Sequence, residues 1–407
     1  GVTSRTNLNI EFQKALGNNE FFNANAYWNH YDFELFSNFT FFLEDKENGD
    51  QIKQRESRNL FGLNTEWNKK LQLGAAQVGL RMGAGFRTDM VRDNELSHTA
   101  NRKTLITSIQ LGNVDETNLH AYFDAKLKWQ NLVLVPGVRL DRFQFGYVDA
   151  LQQEYRNQKV GKTVFSPKLS LLYNVRNNLQ FFLKSGVGFH SNDTRVVVAQ
   201  DGKEVLPKAF GVDFGTLFKP SSKWIFNLAL WHLYLEQEFV YVGDAGIVEP
   251  SGRTERYGVD IGLRHQINDW LYFNSDATYT KARSIDMPKG NDLVPLAPDL
   301  TISGGLTVKG LDKFSGGIHY RYLDDRPANE DNSIVANGYF VMDLSTNYKL
   351  GNNVTLGIVV QNLFNTKWNE TQFATESRLQ DEIEPVEEIH FTPGTPFALR
   401  ASLKVTF

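Results

Sequence analysis

The stretch Leu119-His120-Ala121-Tyr122-Phe123-Asp124-Ala125-Lys126-Leu127-Lys128-Trp129 decides the fold. Its odd positions are Leu, Ala, Phe, Ala, Leu and Trp; its even positions are His, Tyr, Asp, Lys and Lys. Successive side chains of an extended strand point to opposite faces, so this segment has one apolar face and one polar face. A helical period of 3.6 would mix the two sets on every face.

The same period of two runs along the chain. Val78, Leu80, Met82, Ala84 and Phe86 alternate with Gln77, Gly79, Arg81, Gly83, Gly85 and Arg87. The last stretch sets Phe397, Leu399, Ala401, Leu403, Val405 and Phe407 against Ala398, Arg400, Ser402, Lys404 and Thr406. Seventeen segments follow the pattern, near 3–16, 20–43, 57–69, 75–88, 117–129, 132–145, 163–176, 179–189, 208–219, 223–242, 253–266, 270–283, 297–309, 313–324, 337–350, 353–363 and 397–407. Most run to roughly 10–14 residues, against about 5–6 for an ordinary globular strand. A tilted strand needs ~9–11 residues to cross a bilayer.

The connections alternate in length. Gly17–Asn19, Gln130–Asn131, Arg176–Asn178, Pro220–Ser222, Ile267–Asp269 and Gly351–Asn352 are short and rich in turn residues. Those near 44–56, 89–116, 146–162, 190–206, 244–252, 284–296, 325–336 and 364–396 are long and charged. Such a hairpin series has one plain rim and one elaborate rim.

Composition excludes several classes. With 407 residues and no cysteine, the chain has no disulfide framework and no thiolate site. No apolar run reaches the ~18 residues of a spanning helix. A formal net charge of −4 gives no reason to expect nucleic acid as partner. A content of 13% aromatic residues argues against disorder. There is no G-x-S-x-G elbow, H-E-x-x-H or P-loop, so no enzyme or cofactor site is expected, and no metal site.

Two all-β architectures give this alternation. In a soluble sandwich or propeller the apolar faces form a core; in a membrane barrel they meet lipid and the polar faces line a wet lumen. Arg81, Arg87, Asp124, Lys126, Arg139, Asp141, Lys168, Lys184, Asp260, Arg264, Asp276, Arg321, Lys349, Arg400 and Lys404 occupy polar faces in mid-strand. Trp129, Tyr173, Trp224, Tyr272, Tyr279 and Tyr348 fall toward strand ends, where interface girdles lie. These features favour a transmembrane antiparallel β-barrel, in one domain over 1–407. Seventeen is odd, whereas bacterial single-chain barrels have even counts. If the final strand runs toward the periplasm, Gly1 starts at the extracellular end of a descending strand. The expectation is therefore the C-terminal portion of a barrel whose opening strands precede Gly1.

Five motifs then resemble the barrel of TonB-dependent outer-membrane receptors. They are Gly188-Phe189-His190-Ser191-Asn192-Asp193-Thr194-Arg195, Leu296-Ala297-Pro298-Asp299-Leu300-Thr301, Asn337-Gly338-Tyr339-Phe340-Val341-Met342-Asp343-Leu344, Gln361-Asn362-Leu363-Phe364-Asn365-Thr366-Lys367-Trp368, and Pro393-Gly394-Thr395-Pro396 before the last strand. The chain departs from the family pattern at Asn362 (Glu), Trp368 (Tyr) and Phe397 (often Arg). The resemblance implies about 17 strands of a 22-stranded barrel around a plug, in the outer membrane of a Gram-negative bacterium. It also implies active uptake of a scarce large solute, most often a ferric siderophore or other metal chelate. The TonB complex would act through an N-terminal plug region that has no counterpart here. Outer-membrane lipid and an extracellular small-molecule ligand are the other partners implied. A passive porin-type channel is the alternative.

Ligand contacts are expected at the elaborate rim. The candidates are His98 and Arg102 in 89–116; His190, Asp193 and Arg195 at a strand end; Arg326; and Trp368 and Phe373 in 364–396. Each has a plain alternative as a solvated loop residue or a strand-end hydrogen-bond group. The acidic run Asp381, Glu382, Glu384, Glu387 and Glu388 reads as a repelling, solvated stretch rather than a cation site. The inward Arg and Lys are expected to pair with Asp124, Asp141 and Asp260 across strands.

Overall fold

The computed structural model describes residues 1–153, 157–190, 206–242, 247–250 and 252–406. In chain order the strands are β1 (Val2–Gly17), β2 (Glu20–Ser37), β3 (Ile52–Leu73), β4 (Ala76–Ala100), β5 (Thr104–Trp129), β6 (Leu132–Asp149), β7 (Asn157–Arg176) and β8 (Leu179–Phe189). There follow β9 (Lys208–Phe218), β10 (Trp224–Leu235), β11 (Phe239–Val242), β12 (Ile247–Pro250), β13 (Thr254–Gln266), β14 (Leu271–Ser284), β15 (Leu300–Leu311) and β16 (Phe314–Leu323). The last are β17 (Arg326–Pro327), β18 (Val335–Ala336), β19 (Tyr339–Lys349), β20 (Val354–Gln361), β21 (Asn369–Ser377), β22 (Val386–Pro393) and β23 (Ala398–Val405). There is no helix among the described residues.

Seventeen of these strands form one sheet. Every pairing in it is antiparallel and joins strands consecutive around the wall, from β1–β2 through β9–β10, β10–β13 and β16–β19 to β20–β23. The remaining six strands form three small hairpins, β11–β12, β17–β18 and β21–β22, all in the long connections. The seventeen expected segments correspond one to one with the seventeen sheet strands.

The alternation maps onto two faces. Phe86, Leu119, Phe123, Leu140, Phe165, Phe214, Leu230 and Ile261 stand exposed on the outer face. Arg81, Asp124, Tyr122 and Arg139 stand on the other, and the register keeps each set on one side: Arg81 faces Asp124, and Tyr122 faces Arg139. A belt of exposed large apolar side chains around the whole sheet matches a lipid-facing surface. The largest buried hydrophobic cluster is small: Phe143, Phe145, Val164 and Leu206, with Tyr147, Val160 and Phe189 against it. The sheet carries its apolar face outward and packs on no second layer among the described residues.

Several expected boundaries are corrected. The 89–116 connection is not a loop: β4 and β5 continue through it to a turn at Asn101–Lys103. Asn101 (φ 53°) and Arg102 (φ 59°) are both left-handed there, as a tight hairpin turn requires. The loop near 44–56 is shortened by the start of β3 at Ile52, and the segment 20–43 ends at Ser37. The segment 223–242 divides into β10 and β11. The loop 364–396 carries the hairpin β21–β22.

No pairing joins β1 to β23 among the described residues, but loops near the two ends of the sheet meet at the mouth. The loop after β2 and the loop after β20 form a parallel bridge at Phe41 and Arg378. The Phe42 amide donates to the Arg378 carbonyl at 2.9 Å, and the Arg378 guanidinium donates to the Phe42 carbonyl at 2.8 and 2.5 Å. Strands that lie far apart around the wall are thus tied together, so the sheet curls round.

Candidate functional site

The lumen wall is a belt of paired charges. Arg81 grips Asp124 through Nε and Nη2 at 2.9 and 2.6 Å, with Lys168 at 3.7 Å on the same carboxylate. The Tyr122 hydroxyl donates to Glu66 at 2.7 Å. Arg139 takes both oxygens of Asp141 at 2.8 Å, and Asn118 adds a third bond at 3.1 Å. Asp141 is completely buried, and a bidentate guanidinium is the partner that makes such a buried carboxylate tolerable.

The expected cross-strand pairing holds for Asp124 alone. Asp141 is paired by Arg139 two residues back on the same strand. Asp260 accepts from Trp231 and Thr278, with no cation on it among the described residues. Polar donors of any kind satisfy a carboxylate, and nearby aromatic N–H and hydroxyl groups served here.

At the mouth, three motifs that are separate in sequence converge on the base of the last long loop. Asn362 is buried, with φ 50°. Its amide nitrogen donates to the Thr366 and Thr395 carbonyls at 2.8 and 3.0 Å, and its oxygen accepts from the Thr366 amide at 2.8 Å. The Asn362 backbone N–H donates to Asp343 at 2.8 Å. Asn suits this position, since its side-chain amide both donates and accepts and it tolerates the left-handed backbone. Trp368 donates to the Thr395 carbonyl at 3.1 Å, packs 4.7 Å from Tyr339, and lies 5.4 Å from the Arg321 guanidinium.

Above that base the hairpin β21–β22 reaches across the mouth. Phe373 and Phe41 both pack on His390, at 5.8 and 5.6 Å, and Phe39 stands edge-on to Phe373 at 5.7 Å. His390 contacts the Ser377 hydroxyl at 3.1 Å. Gln372, almost wholly buried, exchanges two hydrogen bonds with the Asn337 backbone at 3.1 and 2.7 Å.

The sequence candidates do not form one cluster. His98 contacts the Gly49 carbonyl at 2.6 Å and lies 3.9 Å from Asp45. Amide donors from Glu47 and Asn48 hold the Asp45 carboxyl below its ordinary value. The Arg102 amide donates to Gln51 at 2.7 Å. His190 sits beside Pro207, its amide 3.3 Å from that carbonyl. Asp193 and Arg195 lie outside the described residues. Trp368 belongs to the loop base, and Phe373 to the aromatic group on the hairpin. Arg326 is buried in a separate cavity of about 360 Å³ between the β14–β15 and β16–β19 loops.

Sequence reasoning missed Gln51, Asp50 and Gln372, which order the rim loops. Asp50 accepts from the Thr40 hydroxyl at 2.8 Å and the Asp45 amide at 2.8 Å. Lone polar residues in a loop carry no periodic signal that would mark them. Among the described residues no group of three His, Cys, Asp or Glu is placed to hold a metal ion. The acidic stretch around Glu384 is mostly exposed.

Comparison with known proteins adds the following. The model of the TonB dependent receptor-like β-barrel family matches residues 1–363. The metal-pseudopaline receptor CntO of Pseudomonas aeruginosa strain UCBPP-PA14 is 23% identical over 316 residues, covering 71% of this chain and 40% of the receptor. The chain therefore spans well under half the length of that relative. Among solved structures, the unliganded ferric citrate transporter FecA superposes with a TM-score of 0.80 at 15% identity, covering all of this chain and 62% of FecA. The closed form of the ferric-catecholate import receptor Fiu of E. coli K12 gives 0.77 at 14%, covering 99% and 64%. The copper transporter OprC gives 0.74 at 16%, covering 99% and 65%.

Proposed function

The chain belongs to the TonB-dependent receptor β-barrel family, a receptor family of the Gram-negative outer membrane, and from that premise we propose that it takes up a metal chelate. The carrying observation is the family match over residues 1–363. The substrate class follows the relatives: CntO is named for a metal-pseudopaline, FecA for ferric citrate and Fiu for ferric catecholates. The solute enters at the mouth, under the β21–β22 hairpin, and the paired charges of the wall give its path a wet, polar surface. Energy is coupled by the TonB complex through a plug region.

Of the sequence candidates, Arg102, His190, Asp193, Arg195, Arg326 and Phe373 are assigned to the solute. His98 and Trp368 are assigned to holding loops, because each is already engaged with loop backbone. Uptake of iron, nickel, zinc and copper chelates by a deletion strain, with and without the complementing gene, tests the proposal. The expected result is loss of uptake of at least one chelate, with the same loss on removing TonB. Uptake that persists without TonB, together with ion conductance of the purified protein, establishes a passive channel instead.

A further inference from the structure

The Arg326 cavity is the most unusual place at the rim. Its two walls are fixed to each other: the Leu293 amide donates to the Glu330 carbonyl at 3.1 Å, and the Leu296 amide to the Pro327 carbonyl at 2.7 Å. Arg326 itself is held by the β17–β18 bridge opposite Ala336, which is fully buried. Its side chain is only 7% exposed, and its Nη1 is buried with no hydrogen-bond partner among the described residues. No carboxylate comes within ion-pair distance of it among those residues. A buried guanidinium without a partner is costly, and nearly every structural arginine at this burial has one.

The neighbouring charges are already committed. Asp299 pairs with Lys281, Arg283 lies 3.5 Å from Asp292, and Asp325 accepts from the Gly338 amide at 2.6 Å. Val294, Pro327 and Val335 supply apolar walls. A concave space with mixed polar and apolar walls and one unsatisfied charged donor is the form of a ligand subsite. Burial pushes the Arg326 guanidinium below its ordinary value, the direction expected of a cation whose charge is not answered.

We infer that this cavity is a carboxylate-binding subsite anchored by Arg326. The planar fork of a guanidinium matches a carboxylate in bidentate fashion. A phosphate dianion fits less well, because Asp299 and Asp325 also line the cavity and repel the second charge. The inference rests on the uptake reading only for the source of the ligand, a carboxylate-bearing solute at the cell surface.

The test uses the full-length receptor in detergent, with propionate, a monoanion, as the carboxylate probe and glycerol 3-phosphate as the phosphate probe, followed by saturation-transfer NMR. Propionate is expected to bind and glycerol 3-phosphate to bind more weakly. Arg326→Gln is expected to weaken propionate about tenfold or more, and Arg326→Lys to fall between. Val335→Trp, at a half-exposed position on the cavity lining, is expected to block propionate with Arg326 intact; it carries the test if Arg326→Gln does not fold. Absence of propionate binding, equal binding by Arg326→Gln, or phosphate binding as tight as propionate overturns the inference. Propionate binding without chelate uptake refutes the uptake reading alone. Chelate uptake with propionate binding unaffected by Arg326→Gln refutes this subsite alone.

Discussion

Asp141 shows what a single residue demands of this wall. Its carboxylate has no exposure to solvent, and three hydrogen bonds from Arg139 and Asn118 replace the water it lost. Arg139→Met removes two of the three and leaves a buried charge with one amide donor. The expected loss is about 2–3 kcal/mol, below the range for a fully enclosed pair because the Arg139 side chain is 41% exposed. Denaturant unfolding in detergent, followed by tryptophan fluorescence, measures it. The double variant Arg139→Met/Asp141→Asn is expected to recover part of the loss, since the uncompensated charge goes too. At this scale the sequence was partly legible. The alternation placed Asp141 and Arg139 on the polar face, but nothing in it told Arg139 from a cross-strand cation as the partner. Asp124 takes Arg81 from the next strand and Asp141 takes Arg139 from its own, and rotamer geometry decides between the two arrangements.

The element scale shows where the period of two is informative and where it fails. Within the membrane one face meets lipid and the other water, so alternation is strong and the seventeen strands could be counted. Beyond it both faces are wet, and in the upper halves of β4 and β5 apolar residues such as Val91, Leu96, Leu105, Ile106 and Ile109 fall at odd and even positions alike, mixed with polar ones. Bulges between Val91 and Asn94, Leu96 and Ser97, and His98 and Thr99 also shift the phase. The continuing strands therefore looked like a loop from 89 to 116. A second element-scale device is the pairing of a glycine with an aromatic ring directly across the sheet. Gly83 lies opposite Tyr122, and a Cβ on Gly83 meets the Tyr122 ring at 2.5 Å. Gly258 stands in the same relation to Trp231. Gly83→Val is expected to displace the ring, break the Tyr122–Glu66 bond and destabilise by about 1–3 kcal/mol. Gly79→Val, whose nearest neighbour is Lys126 at 3.8 Å, is the control and is expected to cost far less. Unfolding midpoints of the two variants in one detergent decide the point.

At the scale of the molecule, the contact between Phe42 and Arg378 spans 336 positions. No local pattern announces such a contact, so the sequence yielded the strands but not the arch over the mouth. The same limit applies to the site: its loop-base residues sit in recognisable motifs, whereas Gln372 and the Arg326 cavity exist only once distant loops meet. Arg378→Ala removes three side-chain hydrogen bonds to the Phe42 and Glu382 carbonyls. It is expected to raise protease cleavage in the 38–51 loop and the β21–β22 hairpin about tenfold, with the sheet still intact to heat-modified gel mobility. Unchanged cleavage counts against the arch as a fastening.

The strictly sequential order of pairing around the wall has a kinetic consequence. Each strand finds its partner one hairpin away, so most native contacts close short loops despite the size of the sheet. The entropic search that slows folding of β proteins with distant pairings is largely avoided. The wall can therefore grow by accretion, each finished hairpin templating the next, and the arch from Arg378 to Phe42 becomes the one slow, late event.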